Sequence, residues 1–137
     1  MTKQKILDTI NATDGYNKHN GIKIVDFGEG CCTVEGELTK DAMNPMGMAH
    51  GGFVYSLCDV ASGFAVGTRG CSCVTLSSNM SYLRPSTGKL LRAEGKIIKL
   101  GKTVAFVEVN VYNDEGKHTA RGEFQFFVTH GGAAKGE

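Results

Sequence analysis

The 137-residue chain lacks the features of several large classes of protein. Its formal net charge is +1 and neither a basic block nor an acidic tail is present, so nucleic-acid binding is not favoured. No apolar run is long enough to span a bilayer, and the N-terminal stretch MTKQKILDTINATDG lacks the apolar core of a signal peptide. We therefore expect a cytoplasmic protein that binds neither nucleic acid nor membrane.

The five cysteines lack the CxxC spacing that is typical of zinc sites. Two of them are adjacent, at Cys31 and Cys32, and two are separated by a single serine, at Cys71 and Cys73. An odd number with these spacings favours free thiols in a reducing compartment. We expect no metal site.

Residue periodicity and turn chemistry predict two helices and six strands. The helices are expected over residues 3–12 and 51–66, with a loop at 40–50 before the second. Strands are expected over residues 21–28, 30–39, 73–83, 89–100, 102–112 and 117–130. The short turns between the last four strands predict an antiparallel meander. We expect one domain over residues 1–130 and a disordered tail at 131–137.

The helix over residues 51–66 has two different faces. Its apolar face should cover the sheet and comprises Phe53, Leu57, Val60, Ala61 and Phe64. A second stripe is small and polar and comprises Gly52, Ser56, Asp59, Ser62 and Gly63. The small stripe leaves room for a ligand or another backbone beside the Asp59 carboxylate. These features predict an α+β fold in which an antiparallel sheet wraps around one long central helix.

Four segments carry a resemblance to a known family. They read Asn44-x-x-Gly47-x-x-His50-Gly51-Gly52, Leu57-x-Asp59, Tyr82-Leu83-Arg84-Pro85 and Gly101-Lys102-Thr103. This pattern resembles the hotdog-fold acyl-CoA thioesterases of the phenylacetic-acid-degradation type, over roughly residues 40 to 130. The resemblance implies the hotdog fold, assembly into homodimers or homotetramers (dimers of dimers), and hydrolysis of an acyl- or aryl-acyl-coenzyme A at sites shared between subunits.

Thioester hydrolysis requires a base or nucleophile and a donor for the oxyanion that forms. The resemblance implies that Asp59 is the general base or nucleophile and that the backbone N–H of Gly51, at the helix start, is the oxyanion donor. It also implies that Asn44 orients the attacking water or the thioester. The structural alternatives are a buried Asp59 held by hydroxyl groups, a plain helix start at Gly51, and a turn role for Asn44.

Two further residues are catalytic candidates. His50 is a candidate base, and the alternative is a ring that bonds backbone groups and fixes the loop. The resemblance aligns Thr75 with a hydroxyl group that places the water or the coenzyme arm, and the alternative is an ordinary strand threonine. Cys58, next to Asp59, is interpreted as a core residue because no cation is assigned to it.

The resemblance also implies that two segments border coenzyme A. The residues concerned are Tyr82, Arg84, Pro85, Ser86, Lys99, Gly101, Lys102 and Thr103. Arg84 and Lys102 would face its phosphates, and the alternative for each is surface charge beside a turn. The sequence LGKT is not a phosphate-binding loop, because it lacks the upstream glycine and joins two strands. No cofactor is expected, since coenzyme A is part of the substrate.

Two other functions are alternatives to thioester hydrolysis. A hotdog dehydratase acting on a hydroxyacyl thioester typically pairs a histidine with the helix carboxylate. A non-catalytic acyl-CoA-binding sensor usually carries a DNA-binding segment, for which this N-terminus is too short and insufficiently basic.

The uncharged stretch CVTLSSNM reads poorly as a solvent-facing edge strand. It predicts a homodimer with a continuous sheet, doubled into a tetramer.

Overall fold

The computed structural model describes residues 1–131 and contains all the predicted helices and strands. The helices are α1 (Lys3–Ala12), α2 (Tyr16–His19) and α3 (Gly51–Gly67), with a short 3-10 helix at Lys40–Ala42. The strands are β1 (Ile22–Gly28), β2 (Cys31–Glu37), β3 (Ser72–Tyr82), β4 (Leu90–Leu100), β5 (Val104–Asn113) and β6 (His118–His130). Helix α2 and the 3-10 helix were not predicted. Of the tail that was expected to be disordered, residues 132–137 lie outside the described part of the chain.

The six strands form one antiparallel sheet in the order β1-β2-β4-β5-β6-β3. Strands β4, β5 and β6 are successive neighbours, but the predicted four-strand meander is wrong because β3 pairs with β6 and not with β4. The N–H groups of Leu83 and Arg84 both donate to the carbonyl oxygen of Thr119, so the chain continues along β6 after β3 ends. Lys89 then accepts from Leu38 and brings β4 beside β2. Strand β3 is consequently an edge strand.

Helix α3 packs directly on the sheet because two strand glycines allow close approach. A Cβ atom on Gly95 would lie 2.8 Å from the carbonyl oxygen of Ala61, and one on Gly36 would lie 2.7 Å from the ring of Phe53. The helix is capped at its C-terminus by Thr68, whose hydroxyl donates to Ala65 and accepts from the N–H of Gly30. The buried side chains of α3 are Phe53, Val54, Leu57, Cys58, Ala61, Ser62, Ala65 and Val66.

The predicted division of α3 into two faces is correct only in part. Leu57, with Phe53 and Ala61, is buried as expected, but Val60 and Phe64 are only partly buried and line a cavity beside Asp59. Ser62, which was assigned to the polar stripe, is fully buried against the sheet. The reason is that the sheet packs on the side of α3 that carries Val54 and Ala65. This side is rotated about the helix axis relative to the predicted apolar face.

The sheet curls around α3, as the sequence predicted. Ile24 lies on β1 and Thr75 on β3, at opposite edges of the sheet, yet both line the same cavity next to α3. Within residues 1–131, no helix is both long enough and apolar enough to cross a membrane.

Candidate active site

Asp59 lies near the middle of α3, half-buried, on a side of the helix that the sheet does not bury and that is next to the β3 edge. Its Oδ1 atom accepts a hydrogen bond of 2.6 Å from the hydroxyl of Thr75 on β3. A short bond to a carboxylate is strong and fixes the orientation of the side chain. The second carboxylate oxygen has no hydrogen-bond partner among the described residues, so it is available to accept a proton from water.

The cavity beside Asp59, which we call the Asp59 cavity, has a volume of about 550 Å³. Its walls come from six elements of the fold and include Ile10 of α1, Phe64 of α3 and Phe126 of β6. Among residues 1–131, Asp59 is the only charged one that lines it. An open, mostly apolar groove with one carboxylate at its side suits an apolar group whose reactive end reaches Asp59.

His50 caps the N-terminus of α3. Its Nδ1 atom accepts a hydrogen bond of 2.8 Å from the N–H of Gly52, and its carbonyl oxygen accepts from Phe53 and Val54. Since Nδ1 is an acceptor, this pattern assigns a neutral ring with its proton on Nε2. A Cβ atom on Gly52 would lie 3.0 Å from Nδ1, so a small residue is required there. The arrangement matches the structural alternative for His50, and a catalytic role for it stays a prediction.

Gly51 follows the cap, and its N–H has no hydrogen-bond partner within residues 1–131. This group lies at the positive end of the helix dipole and is free to bind an oxyanion. The carbonyl oxygen of Gly51 accepts a hydrogen bond of 2.9 Å from the hydroxyl of Tyr82. Burial raises the pKa of Tyr82, which keeps this hydroxyl protonated as a donor. Tyr82 therefore holds the start of α3 in place.

Asn44 closes the turn that precedes α3. Its Oδ1 atom accepts from the N–H groups of Met46 and Met48, at 2.9 and 3.1 Å, and Gly47 in this turn has a φ of +81°. These bonds use both lone pairs of Oδ1. The Nδ2 group has no partner in the described part of the chain, so both of its hydrogens are free to be donated to a ligand. The turn role of Asn44 is therefore compatible with a role in binding a substrate oxygen.

Six of the predicted residues share a second cavity, of about 380 Å³, at the start of α3. They are Asn44, Gly51, Tyr82, Arg84, Pro85 and Ser86. Ser86 is buried, and its carbonyl oxygen accepts from the N–H of Ala49, which ties the segment after β3 to the turn before α3. We call this space the Gly51 cavity.

The other coenzyme A candidates lie far from the Gly51 cavity. Lys99, Gly101, Lys102 and Thr103 occupy the end of β4 and the turn into β5. Thr103 accepts from Val128 near the end of β6, whereas Tyr82 pairs with Ala120 near its start. Eight residues of strand separate these points by about 26 Å. One chain alone therefore does not bring the two segments together.

The catalytic candidates are also separated within one chain. Gly51 and Asp59 are eight residues apart on the same helix, which corresponds to about 12 Å along its axis. Reacting atoms and catalytic groups must approach within about 3–3.5 Å. A single thioester therefore cannot contact the Gly51 N–H and the Asp59 carboxylate of the same chain.

Sequence reasoning missed several residues that line the Asp59 cavity. Ile10 of α1 and Asn17 of α2 line the Asp59 cavity, although they lie far from it in sequence. Ile10 carried a signal, because its spacing from Ile6 and Leu7 marks an apolar helix face. Asn17 carried none. Over residues 1–131, no group of three or more His, Cys, Asp and Glu side chains is placed to hold a metal ion.

The family model and the relative that this chain resembles are both thioesterases. Residues 46–120, more than half of the chain, match the model of the thioesterase superfamily. The chain is 29% identical over 108 residues to the acyl-coenzyme A thioesterase PaaI of Escherichia coli, covering 78% of this chain and 77% of that protein.

Two solved structures are similar in fold and sequence. A Streptococcus mutans protein bound to acetyl CoA is 33% identical, with a TM-score of 0.75 and coverage of 79% of this chain and 88% of that one. A mutant of the phenylacetic acid degradation protein PaaI from Thermus thermophilus is also 33% identical, with a TM-score of 0.78 and coverage of 83% and 98%.

Proposed function

The chain belongs to the thioesterase superfamily, and we propose that it hydrolyses an acyl- or aryl-acyl-coenzyme A to the free acid and coenzyme A, at sites that two copies share. The predicted enzyme class, thioester hydrolase, and the predicted hotdog fold are confirmed by these comparisons. One observation supports a site shared between two copies: Gly51 and Asp59 of one chain line two different cavities.

The exposed edge of β3 supports pairing with a second copy. Val74 and Leu76 on this strand are 58% and 54% exposed, and an unpaired edge of this kind favours association. Antiparallel pairing of two β3 strands about a two-fold axis sets the Tyr82 end of one against the Thr75 end of the other. Because Tyr82 bonds Gly51 and Thr75 bonds Asp59, the Gly51 cavity of one copy then meets the Asp59 cavity of its partner.

The same pairing reunites the two coenzyme A segments. Arg84 follows β3 at one end of the sheet, and Lys102 lies at the other end, near the start of β3. In an antiparallel dimer, Arg84 of one copy approaches the Lys102 end of the other. Both cations can then face the phosphates of one coenzyme A, with Tyr82, Pro85, Ser86, Lys99, Gly101 and Thr103 bordering its path.

In the proposed mechanism, Asp59 acts as a general base. Its free oxygen takes a proton from a water molecule, and the water oxygen attacks the thioester carbonyl carbon. The Gly51 N–H and the Asn44 Nδ2 group of the other copy donate to the resulting oxyanion. The intermediate collapses, the carbon–sulfur bond breaks, and the protonated Asp59 returns its proton to the departing thiolate. Thr75 orients Asp59 throughout.

The apolar outer face of the sheet supports a dimer of dimers. Ile98, Phe106 and Phe127 project from three adjacent strands and are 58%, 41% and 47% exposed. Exposed apolar patches of this kind mark interfaces.

A cytoplasmic location is proposed as well, and it is supported by the free thiols of Cys31, Cys32, Cys58 and Cys73.

The substitution Asp59→Asn tests the proposed function. It preserves size and removes the charge, so kcat for thiol release from acyl-coenzyme A should fall by about 10²–10⁴, the range for loss of a proton-transfer group. The melting temperature should hold, since the charge of a half-buried carboxylate is removed and the amide oxygen can still accept from Thr75. Asp8→Asn, an exposed residue of α1, is the matched control and should retain full activity.

Four outcomes distinguish the alternatives. A destabilised Asp59→Asn protein whose folded fraction keeps full activity would show that Asp59 is structural. Wild-type protein that binds acyl-coenzyme A without releasing thiol would be a sensor, and one that dehydrates a hydroxyacyl thioester would be a dehydratase. Label in the Asp59 side chain after a single turnover in ¹⁸O-labelled water would reveal a mixed anhydride and would show that Asp59 is a nucleophile.

A further inference from the structure

Helices α1 and α2 precede the part of the chain that matches the family model, yet both contribute to the Asp59 cavity. Ile10 of α1 and Asn17 of α2 lie in its wall. We infer that this N-terminal helix pair forms one wall of the acyl pocket and that Ile10 limits the size of the acyl group accepted there. The inference rests on the proposed thioesterase function.

Helix α1 is attached firmly to the edge of the sheet. Leu7 is only 5% exposed and packs in the core. The side-chain amide of Asn11 exchanges two hydrogen bonds with the backbone of Ile24, of 2.8 and 3.0 Å, and thereby pairs with the exposed edge of β1. Lys3 adds an ion pair of 3.0 Å with Asp26. These contacts hold the Ile10 face of α1 at a defined distance from α3.

Helix α2 is joined to α3 by a pair of hydroxyl groups. The oxygen atoms of Tyr16 and Ser56 lie 2.9 Å apart. The Ser56 hydroxyl donates to the carbonyl oxygen of Gly52, so Tyr16 is the donor in the bond between the two hydroxyls. The helix pair therefore bridges from the β1 edge to α3, and its residues Ile10 and Asn17 border the Asp59 cavity.

The floor of this cavity is suited to an apolar chain. Gly63 and Gly67 present no side chains, and a Cβ atom on Gly67 would meet nothing within 4 Å. Phe64, between them, is held by an edge-on contact with Phe27, with ring centroids 5.4 Å apart. From Asp59 to Gly67 the helix runs for about 12 Å. An apolar acyl group that starts at Asp59 can extend along this groove and contact Ile10.

The size of residue 10 should therefore change acyl preference. Ile10→Phe should lower kcat/KM for decanoyl- and phenylacetyl-coenzyme A, because the larger side chain takes space from the acyl group. The expected decrease is about 10-fold or more, since a difference of one methylene group in an apolar pocket already changes kcat/KM by about that factor. The same substitution should lower kcat/KM for acetyl-coenzyme A by much less, because a two-carbon acyl group at Asp59 is too short to reach residue 10. Ile10→Ala should shift the preference toward longer acyl groups. Thiol release across this panel is the measurement, with a melting curve for each variant.

Leu7→Ala is the matched control, because Leu7 lies on the same helix but packs into the core and does not line the cavity. It should lower the melting temperature and leave the ratio of kcat/KM values between acyl groups unchanged. If the wild type is active and both Ile10 variants keep its ratios of kcat/KM between acyl groups, the inference is wrong but the proposed function stands. A shift in Leu7→Ala as large as that in Ile10→Ala would also overturn the inference. A wild type that releases no thiol from any acyl-coenzyme A would overturn the proposed function and this inference with it.

Discussion

Two inactive variants of this chain should restore activity when they are combined, because each proposed site takes Asp59 from one copy and Asn44 from the other. Asp59→Asn removes the base. Asn44→Asp keeps the oxygen that closes the turn with Met46 and Met48, and it replaces the Nδ2 donor by an acceptor. Each variant alone should therefore fold normally and be inactive.

The expected recovery follows from the geometry of the dimer. Gly51 and Asp59 of one chain are about 12 Å apart, so neither copy can complete a site alone. In a mixed dimer, one site combines both substitutions and the other combines the wild-type Asp59 with the wild-type Asn44. Random exchange of equal amounts makes half of the dimers mixed, so about a quarter of wild-type activity should return.

The assay is thiol release after the two variants are dissociated together in mild denaturant and reassociated. Each variant treated alone in the same way is the control and should stay inactive. Activity that does not rise above the sum of the two variants would refute the shared site. So would sedimentation that shows a monomer at micromolar concentration.

Two other results are expected. Arg84→Ala and Lys102→Ala should each raise KM for acyl-coenzyme A more than they lower kcat, because contacts with the coenzyme exist in both ground and transition states. Added salt should weaken substrate binding less in these variants than in wild type, and equal salt dependence in all three would contradict the assignment. Burial raises the pKa of the Cys32 and Cys58 thiols to about 12. Below the unfolded pKa, near 9, the two thiols are protonated in both states and their contribution to stability is complete. Above it only the unfolded chain ionises, so the free energy of unfolding should fall between about pH 9 and 12, and urea titrations that show a constant value to about pH 11 would disprove this.

Several features of the site could be predicted because they depend on neighbours in sequence. The spacing of apolar residues defines α3, and the glycines after His50 define its start. The position of Asp59 on a helix side that the sheet does not bury follows from the helical repeat. Asn44 and Gly51 come together because a short turn connects them, so the predicted motif already describes the Gly51 cavity.

Other features depend on packing between distant segments. The sequence contains a turn after β3 that suits a hairpin, but β3 pairs with β6 because Leu83 and Arg84 continue to bond Thr119. Val60 and Phe64 are as apolar as the core residues, and the hydrophobic effect has no direction that would say which of them the sheet covers.

Local patterns thus determined helices α1 and α3, the strands and six residues of the Gly51 cavity, since hydrogen bonding and side-chain periodicity act over a few residues. Only the tertiary structure decided that Gly51 and Asp59 lie in different cavities, that the Arg84 and Lys102 segments lie at opposite ends of the sheet, and that Ile10 reaches the Asp59 cavity. These distances depend on how the sheet curls around α3, and that curl is set by contacts between strands that are far apart in the chain.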